Sequence, residues 1–66
     1  MLSARNQFQG KIKSVKLGTV MAEVVVATGN LEIVAAITRG SAESLGLKIG
    51  DTVRAVVKAT EVMIDK

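Results

Sequence analysis

The run VMAEVVVATGNLEIVAAIT, Val20 to Thr38, decides the fold. Val20 to Ala27 is rich in β-branched residues and apolar on both parities, with Glu23 alone interrupting one face. Such side chains fit a pleated backbone and lose freedom in a helix, so the segment reads as a strand. Thr28-Gly29-Asn30 then reads as a hairpin loop, where Gly or Asn takes a positive φ at little cost. Leu31 to Thr38 is the return strand, again apolar on both faces apart from Glu32. A sheet with two apolar faces needs cover on both sides.

Upstream, residues 3–17 alternate in part. Phe8, Gly10 and Ile12 share one parity and Lys11 and Lys13 the other, as in a half-exposed strand. Leu17-Gly18-Thr19 is a turn signal. Downstream, the pattern changes at RGSAESLGLKIGD, residues 39–51. Ser41 is the expected N-cap of a short helix, with Glu43 toward its positive end. Gly46 is expected to stop that helix after barely one turn. Leu45, Leu47 and Ile49 anchor the segment, and KIGD (48–51) makes the next turn. Thr52 to Thr60 reads as a strand, with Val53, Ala55 and Val57 on one side and Arg54, Val56 and Lys58 on the other. EVMI (61–64) reads as a short fifth strand. The order predicts an all-β protein: a single domain over 1–66, built as a small five-stranded OB-like barrel with one helical turn between strands 3 and 4.

Composition narrows what such a domain does. The 66 residues include no Cys, His, Trp or Tyr, one aromatic residue (Phe8), and 48% hydrophobic residues. Disulfides are excluded, and a structural zinc site lacks its usual ligands. A single core in so short a chain supplies only about 3–5 kcal/mol, which leaves oligomerisation as the staple. No signal-peptide pattern or membrane-length apolar run is read, and the lack of cysteine accords with a cytoplasmic protein. Nine Lys/Arg against six Asp/Glu give +3, mildly basic and suited to a small anion. An OB-like nucleic-acid module is the alternative reading, but it stacks bases on exposed aromatics and this chain offers only Phe8. Enzyme chemistry has few candidates without His, Cys or a carboxylate pair. Ser3 or Ser41 with Lys58 is the one nucleophile–base pairing the residue types allow.

What the chain does carry is hydrogen-bond donors at strand ends and turns. Ser3 and Arg5 are two apart, so an extended segment projects both to one side. Thr38 and Ser41 flank a strand-to-helix junction, where free N–H groups add a mildly positive concavity. Lys58 ends an apolar strand, and Arg54 shares its parity. The bland readings are a solvated chain end, simple N-capping by Ser41 and a snorkelling lysine; Arg39, Lys11, Lys13 and Lys16 read as solvated. Together, Ser3, Arg5, Thr38, Ser41 and Lys58 suit a tetrahedral anion, which only accepts hydrogen bonds. Two cationic contacts and several neutral donors sum to about 6–9 kcal/mol. That is tens of micromolar to sub-micromolar affinity.

SARNQ near the start, AAIT followed by SAESLGL, and GDTVRAVVKATEVMI at the end resemble the molbindins, stand-alone Mop domains that bind molybdate and tungstate. The resemblance covers essentially the whole chain. It implies an OB-like fold and a homohexamer, a trimer of dimers with oxyanion sites between subunits. It places oxyanion ligands on Ser3 and Arg5 (SARN) and Lys58 (VKAT), with Thr38 and Ser41 (ITRGSA) from a neighbouring subunit and backbone N–H groups such as that of Ala59. It also implies a second class of site near a symmetry axis. Function is then reversible molybdate or tungstate binding for intracellular molybdenum storage and homeostasis. No catalytic cofactor, cation ligand, nucleic acid or membrane is involved.

Overall fold

The computed structural model describes residues 4–66. Four strands form a curled antiparallel sheet, a half-barrel of order β3-β2-β1-β4. The strands are β1 (Asn6–Leu17), β2 (Met21–Thr28), β3 (Leu31–Thr38) and β4 (Thr52–Val57), with helix α1 (Arg39–Leu45) between β3 and β4. The hairpin of β2 and β3 closes as the sequence predicts. Thr28 pairs with Leu31, and Gly29 takes φ 61° as the first residue of a two-residue loop.

β1 is the spine of the sheet. Residues Asn6 to Lys11 pair with β4, and Lys11 to Leu17 pair with β2. Lys13 is the extra residue of a bulge between Ile12, opposite Val26, and Ser14, opposite Val25. The insertion switches parity, so Ile12 and Val15 both face the core although they are three apart. That explains the incomplete alternation along residues 3–17. Gly10 is fixed by packing: a Cβ there would stand 2.3 Å from the Ala27 carbonyl oxygen.

The core is small. Ile12, Ala22, Val24, Val26 and Ala42 are buried, with Val15, Ile37, Leu47 and Val53 packed against the central three. On β4, Val53, Ala55 and Val57 are partly buried while Arg54, Val56 and Lys58 are exposed, the predicted division.

Two expectations are corrected. The helix begins at Arg39, and Thr38, not Ser41, is its N-cap. Thr38 ends β3 with an extended backbone (ψ 148°), which aims its hydroxyl oxygen at the Ser41 N–H three residues on. No acidic residue lies in the first turn; Glu43 reaches back to Arg39 instead. Helix α1 runs seven residues, and Gly46 (φ 61°, ψ 39°) ends it as expected. The amides of Gly46 and Leu47 bond to the carbonyls of Glu43 and Ala42, the Schellman closure.

The second correction is the fifth strand. β4 stops at Val57, and a 3₁₀ turn, Ala59–Glu61, deflects the chain from the sheet. Val62 is extended (φ −86°, ψ 126°), but residues 62–64 have no strand beside them among the described residues. Met63 and Ile64 are 92% and 89% exposed. A strand needs a partner edge, and this chain does not bring one to EVMI.

Candidate functional site

The register of β1 and β4 builds the first group of donors. Asn6 pairs with Val57, so the next step outward sets Arg5 across from Lys58. An open groove of about 590 Å³ lies there, lined by Arg5 and Lys58 with Ala4, Asn6, Val56, Ala59 and Thr60. Arg5 and Lys58 are both exposed, so the groove presents two cationic heads to solvent. Ala59 opens the 3₁₀ turn, whose leading N–H groups have no carbonyl partner within it. The sequence reading missed Asn6 and Thr60, polar side chains on the same wall. Their signal was available, since Asn6 adjoins Arg5 in SARN and Thr60 follows Lys58 by two in VKAT.

Ser3 lies outside the described residues. Arg5, which follows it by two, sits at a bend fastened by Gln7: the Gln7 amide N–H donates to the Arg5 carbonyl at 3.1 Å.

The second group is at the β3–α1 junction. Thr38 Oγ1 accepts the Ser41 N–H at 3.1 Å and donates to Ser41 Oγ at 2.8 Å. Both residues are exposed. Arg39, expected to be solvated, is engaged: Nε donates to Glu43 at 3.3 Å and Nη1 to the Gly18 carbonyl at 3.2 Å. Its guanidinium ties α1 to the β1–β2 turn. Lys13 is likewise paired, with Glu32 on the outer face. Arg54 points its Nη1 at Gln7 Oε1, 2.9 Å away.

The chain does not bring the two groups together. β3 and β4 are opposite edges of the sheet, and Arg5 and Thr38 are at opposite ends of it. All 12 residues of β1 separate those ends, about 40 Å of strand path. The longest dimension of the molecule is 35 Å. The groove holding Arg5, Lys58 and Ala59 contains neither Thr38 nor Ser41.

Fold and donors define a small half-barrel domain with cations at one corner and hydroxyls at the opposite corner. The comparisons with known proteins agree on its kinship. The TOBE domain family model matches residues 2–64. Molybdenum-pterin-binding protein 2 of Clostridium pasteurianum is 51% identical over 65 residues, covering 96% of this chain and 94% of that one. Among solved structures, a molybdate-binding protein from Sporomusa ovata superposes with a TM-score of 0.94 at 44% identity, over 100% of this chain and 98% of the other. MopII from Clostridium pasteurianum gives 0.95 at 46% identity, over the whole of both chains. The chain belongs to the TOBE domain family, as a Mop-type domain with the OB-like fold of these molybdate-binding structures.

Proposed function

We propose that this protein binds molybdate, and tungstate, reversibly at sites built between subunits, and so stores and buffers the oxyanion in the cytoplasm without turning it over. The observation that carries the reading is the split donor set. Arg5, Lys58 and Ala59 line one groove, Thr38 and Ser41 form a pair at the opposite corner, and relatives at 44–51% identity carry molybdenum-binding names. A second subunit laying its Thr38–Ser41 corner over the groove completes a shell of two cations, two hydroxyls and main-chain N–H groups, to which the family resemblance adds Ser3. Guanidinium and ammonium neutralise the dianion, and neutral donors fix its size. Selectivity over sulfate then rests on the dimensions of the shell, because both anions are tetrahedral.

The surface supports the association. A folded monomer of this mass, 6.9 kDa, exposes about 4,000 Å². This chain exposes 5464 Å², including Val20, Leu31, Val34, Leu45, Ile49, Met63 and Ile64 at 59% or more. The excess, roughly 1,500 Å², exceeds the ~800 Å² one partner contributes to a standard interface, as expected of a subunit with several neighbours. A homohexamer arranged as a trimer of dimers accommodates it. The nucleic-acid alternative rests on one aromatic residue, Phe8, 39% exposed and opposite Ala55, a single stacking surface.

Titration calorimetry tests the reading. Molybdate is expected to bind with tens-of-micromolar or better affinity and sulfate far more weakly. No heat with molybdate, or equal affinity for sulfate, overturns it.

A further inference from the structure

Gln7 holds the carbonyls of both Ala4 and Arg5. Its backbone N–H donates to the Arg5 carbonyl at 3.1 Å, and its side-chain Nε2 donates to the Ala4 carbonyl at 2.6 Å. Its Oε1 accepts from Arg54 Nη1 at 2.9 Å. The two ends of this carboxamide are chemically distinct. A guanidinium only donates and a carbonyl only accepts, so Arg54 and Ala4 together admit a single orientation of the amide. The register explains the meeting. Gln7 pairs with Val56 and Gln9 with Arg54, so Gln7 and Arg54 are diagonal neighbours on one face of the β1–β4 ribbon. That face continues outward to Arg5 and Lys58. Gln7 is half-buried although the glutamine two residues on, Gln9, is exposed.

We propose that Gln7, oriented by Arg54, is a positioning residue for the oxyanion site: it fastens the Ala4–Arg5 bend so that the Arg5 guanidinium is held over the groove before the anion arrives. Without that fastening Arg5 belongs to a short arm beyond the last ladder pair, and binding must also cover the cost of ordering it. Arg54 then acts on the anion through Gln7, since the groove lining does not include it. The inference rests on the molybdate reading above and adds two residues that reading does not use.

Gln7→Met keeps the length and neutrality of the side chain and removes both amide contacts. It is expected to weaken molybdate binding about fivefold in calorimetry, the loss of roughly one hydrogen bond's worth of preorganisation. The effect must run through Arg5: in an Arg5→Ala background, Gln7→Met is expected to cause no further loss. Arg54→Lys, which keeps the charge but not the planar fork, is expected to weaken binding in the same direction and to have no effect beside Gln7→Met. Gln9→Ala, on the same face without such contacts, serves as the control. Sedimentation and thermal melts confirm that each variant is assembled. If Gln7→Met does not assemble, Arg54→Lys in the unsubstituted and Arg5→Ala backgrounds carries the test. Unchanged affinity in Gln7→Met, or a full additional loss in the Arg5→Ala background, overturns the positioning role. Unchanged affinity in Arg5→Ala alone removes Arg5 from the site and this role with it, whereas failure of the unsubstituted protein to bind molybdate overturns the oxyanion reading, so the two failures are separable.

Discussion

Thr38 and Ser41 already hold each other in the free chain: the Thr38 hydroxyl donates to Ser41 Oγ at 2.8 Å while its oxygen accepts the Ser41 amide at 3.1 Å. A hydroxyl has one proton, so that of Thr38 is committed and that of Ser41 is free. An anion taking a bond from each must displace the link between them while leaving the cap intact.

Thr38 caps the helix and in the proposed site also holds the anion, and the two roles separate by substitution. Thr38→Val removes the cap and is expected to cost about 1 kcal/mol of stability as well as weakening molybdate binding. Ser41→Ala leaves the cap in place. Its stability is expected to change by less than about 0.5 kcal/mol while molybdate affinity still falls. Thermal melts beside calorimetry check both, and a Ser41→Ala variant of unchanged affinity removes Ser41 from the shell.

The cationic corner is expected to dominate affinity. Arg5→Ala and Lys58→Ala are each expected to weaken molybdate binding roughly tenfold or more, the value of a charge-assisted hydrogen bond. The association is attributed to the exposed apolar residues and not to these two cations, so the assembly is expected to survive on sizing or sedimentation. A dissociated variant would assign that residue to the interface.

Gly10 is where the sheet admits no side chain. Gly10→Ala sets a methyl 2.3 Å from the Ala27 carbonyl oxygen, a backbone atom without a rotamer to yield. The variant is expected to lose about 3 kcal/mol by denaturant titration. Gly46→Ala meets nothing within 4 Å and suffers only from its left-handed φ of 61°, which costs about 1–2 kcal/mol. The reverse order of severity would contradict the close approach of β1 to β2.

The exposed tail is expected to be an assembly element. Met63→Lys with Ile64→Lys places two charges at 92% and 89% exposed apolar positions, neutral for a monomer and costly in an interface. Sedimentation is expected to show a smaller particle. An unchanged particle would leave residues 62–64 outside the contacts.

Most of the sheet was legible in the chain because its cues are local. The β2–β3 hairpin needed only two β-branched runs and a glycine between them, and the end of α1 needed only Gly46. The N-cap was misplaced because Thr38 and Ser41 both fit the role, and the choice was made by β3 running straight to Thr38. EVMI carries strand-forming residues but no information about which edge receives them, so its state depends on contacts outside the segment. The bulge at Lys13 left only a broken alternation. The five candidate donors could be named from residue type and motif. Their division into two corners, and the fastening of Gln7 by Arg54, depend on strand register, which no local pattern encodes.

The distance between the two corners has a consequence for release. In the proposed arrangement each chain holds half of one site and half of another, so in a closed symmetric assembly the number of such sites would equal the number of chains. In that arrangement anion and assembly would be linked by mass action: molybdate is expected to favour the assembled state, and dilution that dissociates the assembly to discharge it. A store built this way is emptied by lowering its own concentration, with no change in the anion or in any side chain.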